Sequence, residues 1–147
     1  MRSIAVRLGI VVVLALIGFL GQQYFSNSAN KLGVGDCFDL PATATDTVED
    51  VQHHPCTDAH FAEVVYVGTY GGTETTYPSD DTFRQFFADH CIAAYQDYTG
   101  DDILASGEMD MGFFYPTSDG WSKGDKKITC YAYQVDEAKL TTSIKKK

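Results

Sequence analysis

Four cysteines, Cys37, Cys56, Cys91 and Cys130, place the strongest covalent constraint on what this chain can fold into. None of them forms a C-x-x-C pair, which argues against a zinc ribbon or a thioredoxin-type redox site. An even number of cysteines in an exported domain indicates two disulfides, and four cysteines can pair in three ways. The sequence therefore predicts a small domain held together by structural cross-links, provided that the chain leaves the cytoplasm.

The N-terminus predicts that export. Two arginines, Arg2 and Arg7, precede a 13-residue apolar run, Leu8–Leu20, which is the arrangement of a secretory signal. Extending the run to Phe25 gives 18 residues, or about 27 Å of helix, close to the thickness of a bilayer core. The small-x-small sequence 26–28 lies several residues beyond the run and is a weak cleavage site. We therefore expect an uncleaved signal anchor rather than a cleaved signal, with the arginines in the cytoplasm and the remainder outside.

The exterior part is strongly acidic. Between Val34 and Asp136 the chain has 19 acidic residues against four basic ones, a difference of −15. Such a surface repels phosphate backbones, so we exclude nucleic acid as a partner, and basic or neutral proteins, cations and envelope material stay open. The predicted anchor adds the membrane as a partner, and we expect a protein partner in a membrane or cell-division complex. The last residues are instead basic and end in Lys145-Lys146-Lys147, which predicts a loose tail.

Composition and periodicity divide the chain into four parts. Residues 1–25 are the predicted transmembrane anchor, 26–33 a short polar linker, 34–136 the extracytoplasmic domain and 137–147 the basic tail. Alternating apolar residues and β-branched runs predict five strands in the domain. They cover Val34–Leu40, a short stretch around residues 48–51, Phe61–Tyr70, Met109–Tyr115 and Lys126–Val135.

One amphipathic helix is predicted in the domain. Ser79 is placed to cap its start, and Gly100 is suited to a left-handed cap at its end. Between them the apolar residues recur at helical spacing and form one continuous stripe. The members of that stripe are Phe83, Phe86, Phe87, Cys91, Ala94, Tyr95 and Tyr98.

The stripe favours one cysteine pairing. Cys91 lies within it, and Cys130 alternates in phase with Ile128 and Ala132 on the last predicted strand. A helix packed on a sheet brings these two cysteines into one layer, which leaves Cys37 to pair with Cys56. The predicted fold class is α+β: a small antiparallel sheet with one helix across it and two disulfides, on a single N-terminal transmembrane helix.

Residues 120–124, GWSKG, match the G-x-S-x-G pattern of serine hydrolases. In those enzymes the serine follows a strand and a helix begins immediately after it. Here the sequence continues into the last predicted strand, and 116–125 is predicted to be a loop. We therefore expect Ser122 to be a loop serine and assign no catalytic residue.

Residues 53–63 concentrate His53, His54, Cys56, His60 and Glu63, which are all possible metal ligands. A disulfide-bonded Cys56 cannot bind a metal, and the odd spacing of His60 and Glu63 on an extended chain puts them on opposite faces. We therefore predict no metal site and no cofactor, with His60 hydrogen-bonded to the backbone.

Four groups of residues that include the cysteines follow one another in a characteristic order. They are Gly35-Asp36-Cys37-Phe38; Val51-x4-Cys56-x3-His60-x2-Glu63-Val64; Cys91 with Tyr98-x-Gly100; and Pro116-x4-Trp121-x2-Gly124-x5-Cys130. Over about residues 34–135 this pattern resembles the actinobacterial septum-formation domain family. These are extracytoplasmic modules that usually follow a transmembrane anchor or signal. One departure is Ala59, where the family commonly has proline.

The resemblance implies that the four cysteines form disulfides and that His60, Glu63 and Trp121 occupy motif positions of unknown role. It implies a role at the division septum but brings no enzymatic activity with it. Two function hypotheses remain. The first is a non-enzymatic, membrane-anchored accessory module that binds the division machinery or another large membrane assembly, such as a respiratory complex. The alternative is a small envelope enzyme or ligand binder that acts on cell-wall material through Ser122 or through His60 and Glu63.

Overall fold

The structure, a computed structural model, describes residues 27–41, 50–73 and 75–147. The predicted membrane segment 1–25 lies outside these ranges, so the signal anchor stays a prediction. Within the described ranges, no helix combines the length and the apolar character needed to cross a membrane.

The fold is α+β, with an antiparallel sheet whose strands follow the order β1-β3-β2-β4-β6-β5. Every neighbouring pair is antiparallel, which confirms the predicted type of sheet. The two longest strands, β4 and β6, pair from Ala62 with Tyr133 to Thr69 with Lys127, and each has a strand on both sides. The strands are β1 (Asn27–Ser28), β2 (Cys37–Asp39), β3 (Asp50–His54), β4 (Ala62–Thr69), β5 (Met109–Phe114) and β6 (Lys127–Gln134).

The predicted amphipathic helix is present, and its ends lie where the sequence placed them. The Ser79 side chain accepts a hydrogen bond from the amide of Thr82. Gly100 closes the other end with a φ of 85°, in the left-handed region that a residue without Cβ adopts at low cost. The helical path has three parts: α1 (Asp80–Phe86), a π-helical turn (Phe87–Cys91) and α2 (Ile92–Thr99). The π turn was not predicted.

The sheet separates two apolar cores. The helix-side core contains the buried helix stripe together with Val65, Ile128 and Cys130. The opposite core is formed by Leu32, Phe38, Val51, Ala62 and Val64, with the rings of Phe114, Tyr131 and Tyr133 packed against it.

A β-bulge in β4 changes which of the two cores its side chains enter. The pairing register with β6 shifts between Val64 and Tyr66. Val64 belongs to the opposite core, whereas Val65 and Tyr66 both pack into the helix-side core. An extra residue at a bulge re-aims the side chains that follow it, and here it gives the helix two consecutive contacts.

The segment after the predicted anchor belongs to the domain. Ala29 and Leu32 are buried, and the Lys127 ammonium donates to the carbonyls of Asn30 and Leu32 at 2.6 and 2.7 Å. The prediction that 26–33 is a separate polar linker was therefore wrong for residues 28–33, because the apolar Leu32 draws this segment into the core opposite the helix.

The basic tail also packs on the domain. Leu140 is buried and forms an antiparallel bridge with His60. Further along, the amide of Lys146 donates to the carbonyl of Tyr98 at 3.0 Å. The prediction of a loose tail was therefore wrong: Leu140 and Ile144 supply apolar side chains to the domain, while the lysines around them stay exposed.

Phe83 tests the helix-to-sheet packing, since it is fully buried. We expect Phe83→Ala to lower the free energy of unfolding by about 3–5 kcal/mol, because it removes a buried ring and leaves a cavity. Chemical denaturation followed by circular dichroism measures this change. Leu104→Ala is the control, because Leu104 is 80% exposed and its truncation should change the free energy by less than about 0.5 kcal/mol. Equal effects of the two changes would contradict the packing described here.

Candidate functional site

The two disulfides join the elements that the cysteine spacing indicated. Cys37 on β2 is bonded to Cys56 in the loop after β3, and Cys91 in the π turn is bonded to Cys130 on β6. Three of the four cysteines are fully buried, and Cys56 is the one that is partly exposed. The bonds therefore tie the loop after β3 to the sheet, and the helix to the centre of the sheet.

A buried carboxylate lies beside the first disulfide. Glu63 on β4 is paired directly opposite Cys37 on β2 and is fully buried. Its Oε1 accepts hydrogen bonds from the Tyr98 hydroxyl at 2.5 Å and the Ser143 hydroxyl at 2.7 Å. Its Oε2 accepts from the amide of Ile144 at 2.8 Å. The carboxylate thus joins the sheet to the end of α2 and to the C-terminal tail.

Burial and the contact with Glu63 both change the pKa of Tyr98. Burial raises the pKa of its hydroxyl, and the hydrogen bond to the Glu63 carboxylate raises that pKa further. Tyr98 therefore remains protonated over the physiological range and keeps its proton for donation to Glu63. An ionised carboxylate is purely an acceptor, so the three donors around Glu63 match its chemistry.

His60 completes the buried group. Its side chain is fully buried, and Nδ1 lies 2.7 Å from the carbonyl oxygen of Asp58. Because a carbonyl only accepts, Nδ1 carries the proton of this hydrogen bond. The other ring nitrogen, Nε2, is buried and has no hydrogen-bond partner among the described residues. The predicted hydrogen bond from His60 to the backbone is confirmed.

The predicted separation of His60 from Glu63 is wrong. Ligand atoms of Cys37, His60 and Glu63 all lie within 4.8 Å of one another. Strand β4 begins only at Ala62, and His60 belongs to a separate bridge with Leu140, so strand alternation does not run from residue 60 to residue 63. As long as Cys37 is disulfide-bonded its sulfur carries no thiolate, and the group offers one imidazole and one carboxylate.

Ser122 lies in a different environment from the one a nucleophile needs. Residues 116–125, predicted to be a loop, include a short helix, α3 (Ser118–Ser122), which begins after the capping residue Thr117. Ser122 is the last residue of α3, whereas an elbow serine precedes its helix. The exposed hydroxyl donates to the carbonyl of Asp119 at 2.8 Å, and none of the described histidines hydrogen-bonds to it.

Trp121 is a packing residue of the same turn. It is buried, and its ring contacts those of Tyr70, Tyr77 and Phe83 at centroid distances of 5.5–6.2 Å. The Lys126 ammonium lies over the indole face, 2.9 Å from the ring centroid, as in cation–π pairs. The α3 turn therefore holds Trp121 against the helix-side core.

Sequence reasoning missed the partners of Glu63. The sequence pattern places Tyr98 only in the apolar stripe and predicts a loose tail around Ser143. One available signal was Glu63 itself, an acidic residue between Ala62 and Val64 in a run otherwise made of apolar and β-branched residues. A buried acid in such a strand requires donors from elsewhere in the chain.

A protein-family model described as septum formation matches residues 34–147. The chain belongs to the septum-formation family. Comparisons with curated proteins and with solved structures found no match. The family match extends to residue 147, so it includes the tail that is hydrogen-bonded to Glu63. Membership of this family suggests a role related to cell division.

Ser143 tests the connection between Glu63 and the tail. We expect Ser143→Ala to lower the free energy of unfolding by about 1.5–3 kcal/mol, since it removes a hydrogen bond to a buried charged group. Urea denaturation of the purified chain measures this loss. Ser118→Ala is the matched control, because both serines are exposed, whereas Ser143 donates to Glu63 and Ser118, at the start of α3, does not. A Ser143→Ala variant as stable as the control would show that the hydroxyl contributes nothing.

Proposed function

We propose that this protein is a non-enzymatic, membrane-anchored module that works outside the cytoplasm by binding a protein partner during cell division. The observation that carries the proposal is the septum-formation family match over residues 34–147. The partner is a component of the division machinery, or of another large membrane assembly such as a respiratory complex.

The extracytoplasmic location is supported by the cysteines. All four are used in disulfides and no free cysteine remains. Disulfides of this structural kind form and persist in oxidising compartments. The apolar segment ahead of the domain supplies the predicted anchor and the predicted direction of insertion, with the N-terminus in the cytoplasm.

A binding role is supported by the state of the candidate catalytic groups. His60 and Glu63 are fully buried and are held by the backbone and by the tail. The Ser122 hydroxyl is used within its own helical turn. A catalytic group has to come within hydrogen-bond reach of a substrate, and these side chains are either enclosed or without a base.

The charge of the domain indicates which kind of partner surface it favours. Its excess of acidic residues favours contact with basic or neutral protein surfaces over nucleic acid. Among the described residues, the large apolar side chains of Val34, Leu104, Tyr115 and Val135 are exposed and available for such a contact.

Complementation tests whether Ser122 acts as a catalytic residue. In a strain that lacks the gene, we expect Ser122→Ala to restore septum spacing as well as the wild-type chain does. Septa are counted by fluorescence microscopy with a membrane dye, and expression is checked by immunoblotting. Loss of septum formation by a folded, correctly located Ser122→Ala protein would sink the proposal and favour the small cell-envelope enzyme.

Co-purification tests the partner directly. A tagged full-length chain extracted from native membranes in mild detergent should carry stoichiometric partner proteins, identified by mass spectrometry. The amount of partner recovered is compared with that of a charge-reversed surface variant, Asp101→Lys with Asp102→Lys, because both residues are exposed. A chain that always emerges alone, even after cross-linking in intact cells, would contradict a binding role.

A further inference from the structure

We propose that the Cys37–Cys56 disulfide covers a latent zinc site, which Cys37, His60, Glu63 and Cys56 form when a dithiol reduces that bond. The inference does not depend on the proposed function.

The ligand atoms are already gathered. Cys37, His60 and Glu63 are each 1% exposed or less, and their possible ligand atoms lie within 4.8 Å of one another. Tetrahedral zinc, with bonds of about 2.0–2.3 Å, holds its ligand atoms about 3.3–3.8 Å apart. The three groups therefore have to contract by at most about 1 Å, and Cys56, which the disulfide holds next to Cys37, is the nearest further cysteine to complete the set.

The outer contacts are those of a metal site. His60 donates its Nδ1 proton to the Asp58 carbonyl, so in the neutral imidazole Nε2 carries the lone pair, and this nitrogen is buried and without a described partner. Metal-bound histidines use their second nitrogen in this way, and metal-bound carboxylates are themselves hydrogen-bonded. Glu63 accepts two hydrogen bonds on Oε1 and one on Oε2, so Oε2 retains capacity for a metal.

Reduction supplies the missing ligands. A thiolate of the dithiol attacks the Cys56 sulfur and releases Cys37 as a thiolate beside His60. The second thiol of the reagent then displaces Cys56, and the dithiol leaves as its own disulfide after giving two electrons. Its two protons pass to solvent when Zn²⁺ binds both cysteine thiolates. Two thiolates, one carboxylate and a neutral imidazole around Zn²⁺ leave a net charge of −1, whereas without the metal the two thiols keep their protons.

The two disulfides differ in access to the reagent. Cys56 is partly exposed, whereas Cys91 and Cys130 are both fully buried under the helix. Thiol–disulfide exchange requires the attacking thiolate to reach a sulfur atom. A dithiol therefore opens the Cys37–Cys56 bond first and leaves the bond between helix and sheet intact.

Cobalt binding tests the site. The purified full-length chain is reduced with dithiothreitol, desalted without oxygen and titrated with Co²⁺, and the oxidised chain is titrated in parallel. We expect one Co²⁺ per reduced chain, with a thiolate-to-cobalt charge-transfer band that Zn²⁺ abolishes, and no such band in the oxidised chain. A reduced chain without the band, or a band of equal strength in the oxidised chain, would overturn the proposal.

The matched variants are His60→Gln and His90→Gln. We expect His60→Gln to weaken Co²⁺ binding at least tenfold and His90→Gln to leave it unchanged, because His90 is exposed on the helix. Circular dichroism checks that both variants are folded. Equal affinity in the two would contradict the assignment.

Alkylation of the wild-type chain gives a second test that needs no folded variant. After brief reduction, mass spectrometry should find labelled Cys37 and Cys56, with labelling slowed by Zn²⁺. Labelling of Cys91 and Cys130 first, or the absence of any zinc protection, would count against the site.

Discussion

The buried carboxylate of Glu63 is the interaction on which the rest of the domain depends. An ionised acid that is removed from water costs several kcal/mol unless hydrogen bonds replace its hydration. Glu63 finds three donors, and they come from the end of α2 and from two neighbouring positions of the tail. These segments are far apart in sequence, and their hydrogen bonds to one carboxylate hold β4, the end of the helix and the C-terminal tail together.

The disulfides act around the same place and have a different physical role. Cross-links of about 20 and 40 residues stabilise a chain by roughly 3–4 kcal/mol each, mainly by restricting the unfolded state. The Cys37–Cys56 bond ties the loop after β3 to β2, at the position paired with Glu63. The Cys91–Cys130 bond joins the helix to the inner strand β6. They limit where the elements can be, whereas the hydrogen bonds to Glu63 specify how the helix end and the tail meet the sheet.

Features that depend on local chemistry could be predicted from the sequence. The caps at Ser79 and Gly100, the apolar stripe of the helix and the central strands all follow from neighbouring residues. The cysteine pairing also followed, because the stripe and the strand alternation bring Cys91 and Cys130 into one layer.

Features that depend on distant partners were not predicted. The tail was assigned by its lysines, although Leu140 and Ile144 pack on the domain. His60 and Glu63 were separated by assuming one continuous strand, whereas the bridge between His60 and Leu140 lies outside β4. The α3 turn depends on a cap and on the packing of Trp121 rather than on any run of helix-forming residues.

The family match includes the C-terminal tail, and the tail is hydrogen-bonded to Glu63 and so forms one unit with the sheet. Hydrogen–deuterium exchange of wild type and Glu63→Gln tests most directly whether one carboxylate holds this unit together, since the amide replaces one acceptor oxygen with a donor. The account predicts a joint loss of protection in residues 60–64 and 140–147, while the centre of β6 stays protected. A change confined to residues next to position 63, with the tail as protected as in wild type, would contradict it.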